Sequence, residues 1–251
     1  MRPLEPRLAA RLLVLSWPLL LFAPSRAIAQ ADPLWARAVE AAGRAKMWVP
    51  GSTAFRLELM DDKGQPTGET QEMWYRLSAG PDGDVVTEVV RSLKNGKDNT
   101  AEEREKQEGQ ERGRRKDRPA QPFSMGDNPL DPEAQDRVEA KPEPGSRTIL
   151  GRTCVSYGYV MKTKTGRILG NVWLARDSGL PLEMTMTLDP LPAFVQKMDT
   201  RMRYEAEPPG EGRVAEVLVE GSGGVLFLKR NFRMSFSLDG WWLQVPAGKA
   251  P

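Results

Sequence analysis

The chain has 251 residues, a formal net charge of +2, no histidine and one cysteine. Without histidine there is no Ser-His-Asp triad, no Cys-His pair and no imidazole metal site. Cys154 has no partner for an internal disulfide, so the fold must rest on its own core. No catalytic residue, metal site or cofactor is expected.

The first segment reads as an export signal. Arg2, Arg7 and Arg11 precede the apolar run Leu12–Phe22, then Pro24 and the small-x-small triplet Ala27-Ile28-Ala29. The run is about half of the ~20 residues a membrane span needs. We therefore expect a signal peptide over 1–29 and a soluble, periplasmic product over 30–251, folded as a single domain. The leader carries four Arg and one Glu, a net of +3, which leaves −1 on the rest. Neither nucleic acid nor a general attraction to anionic membranes follows from a nearly neutral product.

Asp32 followed by Pro33 suits a helix N-cap and first helical position. Leu34, Trp35, Ala38, Ala42, Ala45 and Trp48 then share one side, which predicts an amphipathic helix over about 33–48. After Pro50-Gly51 the period changes to two. "TAFRLELM" sets Phe55, Leu57 and Leu59 on one face against Arg56 and Glu58. "TQEMWYRL" and "DVVTEVVRSL" follow as strands across Gly-, Pro- and Asp-rich turns.

The segment from Lys94 to about residue 120 is densely charged, with both signs mixed and almost no apolar residue. It reads as a disordered loop, either merely solvated or a docking arm for a charged partner. A Pro-rich connection follows, with one helical turn near Pro132–Asp136.

Strand patterning returns at Arg147. "GRTCVSYGYVMKT" aligns Val155, Tyr157, Tyr159 and Met161 and leaves Cys154 on the other face. "RILGNVWLA" leads through "RDSG" into Leu180, Leu182, Met184, Met186 and Leu188 at every second position. "AFVQKMDTRMRYEAE" alternates Phe194, Met198, Met202 and Tyr204 against charges. "RVAEVLVE", "GVLFLKRNFRMSFSL" and "WWLQV" complete the series, with Phe232, Met234, Phe236 and Leu238 on one side.

One helix and nine or ten strands with short turns predict a mainly β fold. The expected architecture is a strongly curved antiparallel sheet, an incomplete barrel, covered by the N-terminal helix. A helix of about 16 residues spans only ~24 Å, short for the apolar strips of so many strands. Methionine packs pliably and suits walls that accept variable apolar partners, although methionines at strand spacing also make plain core. Tyr157, Tyr159 and Tyr204 add rings with a polar end. Arg230 shares parity with Phe232 and Met234, so it either reaches the rim, meets a polar group of a lipid or is turned out by a bulge.

The stretch "YGYVMKTKTGRILGNVWLARDSGLPLEMTMTL", residues 157–188, resembles the repeat-strand region of the LolA-like lipoprotein-localisation family. The elements that carry the likeness are Trp173-Leu174, Asp177 and Gly179-Leu180-Pro181. In outline the resemblance covers most of 32–245. It implies an incomplete barrel with a helical lid and acyl chains held in its hollow. It further implies a periplasmic carrier between an inner-membrane export complex and an outer-membrane acceptor. The charged insertion departs from that pattern, and no position here matches the family's cavity arginine.

The residues expected to contact lipid are Trp35, Phe55, Leu57, Leu59, Tyr157, Tyr159, Met161, Leu182, Met184, Met186, Met202, Tyr204, Arg230, Phe232, Met234 and Phe236. Trp35 is the expected bulky contact on a helix that moves to admit cargo. The alternative is a non-enzymatic binding or sensing module on the same scaffold, with the charged loop as its dock.

Overall fold

The computed structural model describes residues 32–80, 83–114, 126–205, 212–225 and 228–244. The expected leader and residues 115–120 of the expected loop lie outside them. The chain separates into Met1–Ala31 and Asp32–Pro251, and the description below concerns the second unit alone.

Helix α1 spans Pro33–Ala45. Asp32 caps it as the sequence requires: Asp32 Oδ1 accepts from Leu34 N at 2.9 Å, and Pro33 takes the first position. A two-residue strand β1 (Trp48–Val49) pairs with the last strand, β13 (Trp242–Leu243).

The remaining strands are β2 (Ser52–Met60), β3 (Pro66–Ala79), β4 (Val85–Lys94), β5 (Lys97–Asp98) and β6 (Val138–Ile149). They continue as β7 (Arg152–Lys162), β8 (Arg167–Ala175), β9 (Pro181–Asp189), β10 (Val195–Tyr204), β11 (Val214–Val225) and β12 (Leu228–Asp239). These eleven form one sheet in the order β5-β4-β3-β2-β12-β11-β10-β9-β8-β7-β6, every pair antiparallel. The fold is mainly β, with an open sheet that is not closed into a barrel and α1 beside it. Within this sheet neighbouring strands are consecutive in the chain except where β12 pairs with β2, and β5 and β6 form its two edges.

An open sheet leaves two edges that invite pairing with other chains. At β6 the edge carries Pro142 and Pro144 in an exposed strand, with a register shift between Pro142 and Ser146. This strand occupies residues expected to form an irregular Pro-rich connection.

At the other side the structure corrects the expected charged loop over 94–120. Its first residue ends β4, β5 follows, and α2 spans Thr100–Arg114. The helix lies along the outer edge of β4 and satisfies it with side chains. Ser92 N donates to Thr100 Oγ1 at 2.9 Å, and Arg104 Nε donates to Val89 O at 2.7 Å. Gln107 completes the set, accepting from Val89 N and donating to Thr87 O. Thr100, Arg104 and Gln107 are spaced four and three apart, so one helical stripe replaces a missing strand. An expectation built on apolar burial alone cannot see a helix held by polar groups.

Candidate functional site: an apolar wall that one helix half covers

The face of the sheet beneath α1 is the inner face. Trp35, Ala38 and Ala42 of α1 pack there on Tyr157, Tyr159 and Met161 of β7, Val172 of β8 and Met184 of β9. Leu130 and Ala134, in and before a 3-10 turn over Pro132–Arg137, close the same core from the side.

Several contacts fix the first turns of α1. The Trp35 and Tyr157 rings meet at 5.7 Å between centroids. Trp35 Nε1 donates to Gln135 Oε1 at 2.9 Å, and Gln135 Nε2 donates to the Pro129 and Asp131 carbonyls at 2.8 Å. Burial would raise the Asp32 carboxyl, but donors on Tyr157, Leu34 and Trp35 outweigh it and hold the group below its usual range. Burial, helped by Asp32, pushes the Tyr157 hydroxyl well above the usual phenol range. Tyr159 and Tyr204 are raised for the same first reason.

The Gly-Leu-Pro motif proves to be the seat of this helix. Gly179 has φ +80°, and a Cβ there would lie 2.7 Å from the Arg37 Cβ. Arg37 in turn donates to Asp177 O at 3.3 Å. Glycine is needed for both the left-handed turn and the close approach of α1.

From the end of β9 the cover thins, although Tyr204, Val214, Val217, Val219 and Leu238 stay buried farther along the sheet. A 13-residue helix is ~20 Å long, whereas eleven strands at ~4.8 Å spacing extend ~50 Å. Met186, Leu188, Met198, Met202, Phe232, Met234 and Phe236 pack against the core yet stay only partly buried. The register extends this wall onto β2: Phe236 lies opposite Phe55, Met234 opposite Leu57 and Phe232 opposite Leu59. Phe55, Leu57 and Leu59 are also half-buried, and the Phe55 and Phe236 rings stand 5.0 Å apart.

Where the wall meets the end of α1 there is a cleft of about 460 Å³. Met186, Met202, Tyr204, Val214 and Trp241 form its apolar side, with Ala42, Ala45 and Trp48 opposite. Its mouth is polar. Lys46 Nζ lies 2.6 Å from Asp131 Oδ1, and Arg213 stacks over Trp48 at 4.7 Å while pairing with Glu205 at 2.8 Å. Among the described residues, no three histidine, cysteine or acidic groups are placed to hold a metal ion.

The expected contact residues thus divide into four groups. Trp35, Tyr157, Tyr159, Met161, Met184 and Tyr204 share the inner face but are buried as core. Trp35 is pinned rather than poised to move. Phe55, Leu57, Leu59, Met186, Met202, Phe232, Met234 and Phe236 form the partly open wall.

Leu182 departs from the expectation. A register shift at Trp173/Leu174 breaks the alternation of β9, and Leu182 packs on the outer side with Cys154 and Ala175. Arg230 takes the first of the outcomes expected for it: it keeps the register of Phe232 and reaches the rim, where it is exposed and pairs with Glu69 at 3.2 Å. Phe194 does not join the stripe of β10, because a shift between Val195 and Lys197 leaves it 68 % exposed. Trp48, Lys46, Arg213 and Trp241 were missed. Trp48 in the apolar helix stripe and the apolar "WW" were the signs of them, but the cleft forms from segments far apart in sequence.

No helix among the described residues is long and apolar enough to cross a membrane. No family model matches the chain, and no curated protein matches it. Among solved structures it is similar to a chain of the Pseudomonas aeruginosa MucA/MucB complex, at 11% identity over 84% of this chain and 99% of that one, with a TM-score of 0.25. MucB in complex with MucA(peri) aligns at 10% identity over 84% and 98%, with a TM-score of 0.23. A DUF1329 family protein from Desulfovibrio piger aligns at 14% identity over 87% and 95%, with a TM-score of 0.35. All three scores are low.

Proposed function

We propose that the protein is a non-enzymatic carrier whose open inner wall and adjoining cleft hold the acyl chains of lipoproteins or other lipids. The observation that carries this reading is the half-buried wall from β10 to β2. Its Met, Phe and Leu side chains lie on the helix-bearing face and stay partly exposed, while Val217 and Val219 of β11 between them are buried. Each methylene removed from water is worth ~0.8 kcal/mol, so an acyl chain needs such a surface to cross an aqueous gap. Methionine, unbranched and soft, lets the wall fit chains of different length and release them.

With the basic, apolar and small-residue leader, the setting is the periplasm and the direction of traffic is toward the outer membrane. The resemblance in 157–188 supplies the class of partners: an export complex at the inner membrane and an acceptor at the outer one. The alternative, a sensing module docked through a free charged loop, is weakened by α2, whose stripe is engaged on β4.

Native mass spectrometry of the protein purified from its own envelope tests the reading, followed by lipid extraction. An added mass that dissociates into acylated species is the expected result. A protein that carries no lipid and takes up no fluorescent fatty acid overturns it.

A further inference from the structure

The largest exposed apolar group among the described residues stands beside the wall and not within it. Phe194 is 68 % exposed and has φ +68°, a left-handed conformation that bulky residues rarely adopt. The turn that presents it, Pro190–Phe194, is stiffened by Pro190 and Pro192 and closed by Val195 N donating to Pro192 O at 3.0 Å. Phe194 O accepts from Gly224 N at 2.9 Å, and a Cβ on Gly223 would come within 2.7 Å of that oxygen. The backbone is therefore clamped to β11 in a shape that projects the ring outward. A left-handed conformation that holds an aromatic ring out in solvent asks for a function.

The surroundings narrow what the ring meets. The turn joins β9 to β10 at the end of the sheet where Leu188, Met198 and Phe232 are the outermost apolar groups of the wall, all half-buried. The exposed ring thus stands at that end of the sheet, outside the wall itself. Three cations beside the turn are neutralised by neighbours: Arg167 by Asp189, Lys197 by Asp199 at 2.9 Å and Arg230 by Glu69 at 3.2 Å. A narrow tip of this kind offers little of the ~800 Å² that each partner of a stable protein complex buries. A bilayer accepts a point contact, and its headgroup–acyl boundary suits an aromatic ring.

We propose that the Pro190–Phe194 turn is a membrane-contact point, with Phe194 entering the headgroup–acyl boundary of a bilayer and bringing the open end of the wall against it. The proposal gives the carrier reading its route for loading, on which it rests, but it is measured separately. With Arg167, Lys197 and Arg230 paired and exposed Lys164 in the adjoining β7–β8 turn, contact is expected on zwitterionic bilayers, with at most a modest gain from anionic lipid.

The test uses Phe194→Cys carrying an environment-sensitive dye. Cys154 is fully buried, so the new thiol is labelled selectively. Vesicles of phosphatidylcholine, with and without phosphatidylglycerol, should both raise and blue-shift the emission, the anionic ones at most slightly more. A dye on exposed Lys141→Cys should stay silent. Phe194→Asp should lower the vesicle partition coefficient roughly tenfold while fatty-acid uptake from solution is unchanged. A dye at 194 that vesicles leave unaltered, or that responds to anionic vesicles only, overturns the proposal. Uptake that persists without vesicle contact sinks the contact point alone, whereas contact without uptake sinks the carrier reading and leaves the contact point standing.

Discussion

Two halves of one sheet carry the same alphabet of side chains and put it to different use. On β7 to β9 the methionines and tyrosines are core: Met161 and Met184 have no exposed surface, and Tyr157 and Tyr159 keep 3 %. On β10, β12 and β2 the same pattern of large apolar residues at alternate positions is mostly half-buried, with Tyr204 and Leu238 the buried members. What differs is the cover: α1 lies against β8 and the Pro132–Arg137 turn, and among the described residues of β10 to β12 burial is confined to Tyr204, Val214, Val217, Val219 and Leu238. The comparison teaches that a methionine stripe specifies neither core nor binding wall. The element laid over it decides.

The sharpest way to break this contrast is to truncate one methionine in each half. Met161→Ala should leave a cavity and cost about 2–5 kcal/mol, a fall in Tm of roughly 5–15 °C for a protein of this size. Met234→Ala should cost less than about 1 kcal/mol, since the site is already part-solvated. Differential scanning calorimetry of both variants gives the answer. Equal losses would mean that the open half is packed as firmly as the sealed one, and the wall would cease to be a binding surface.

A smaller effect probes the seat of the cover. Gly179→Ala forces a Cβ against Arg37 at a positive φ, and should cost about 1–3 kcal/mol. Hydrogen exchange locates the damage: amides of α1 should lose protection while those of β11 and β12 keep theirs. If protection falls evenly across the sheet, the two halves are one cooperative unit and α1 is no separable cover.

Much of this was legible in the residues and some of it was not, for identifiable reasons. The cap at Asp32-Pro33, the period-two stripes of β2, β7 and β12 and the helix facing Tyr157 all follow from local chemistry. The faces of Phe55, Leu57, Leu59, Phe232, Met234 and Phe236 were readable because strand parity is a local property. Parity fails where register shifts, as at Leu182 and Phe194, since a bulge depends on the partner strand and not on the strand's own sequence. Helix α2 was illegible for another reason. Its stripe of Thr100, Arg104 and Gln107 has meaning only beside the unpaired backbone of β4. Trp35 was correctly placed on the inner face, but its hydrogen bond to Gln135 lies 100 residues away and shows that it is anchored.

The finest comparison sets two turns side by side, one at each end of the sheet's length of chain. Asn95-Gly96 joins β4 to β5 with φ 49° and 76°, and Leu150-Gly151 joins β6 to β7 with φ 48° and 76°. Both are two-residue hairpin turns with positive φ at each central position, which favour Asn-Gly. Asn95 gains further from its surroundings, accepting from Thr70 N through Oδ1 at 2.8 Å. Leu150 takes the same backbone shape with a branched apolar side chain that is 64 % exposed, so the shape costs more there. Leu150→Asn should therefore stabilise by about 0.5–1 kcal/mol, raising Tm by roughly 1–3 °C, whereas Asn95→Leu should destabilise by about 1–2 kcal/mol. The asymmetry is the informative part. If the two exchanges prove equal and opposite, backbone shape alone sets the preference and the bond to Thr70 contributes nothing. If Leu150→Asn destabilises, the leucine holds a contact that its exposure conceals.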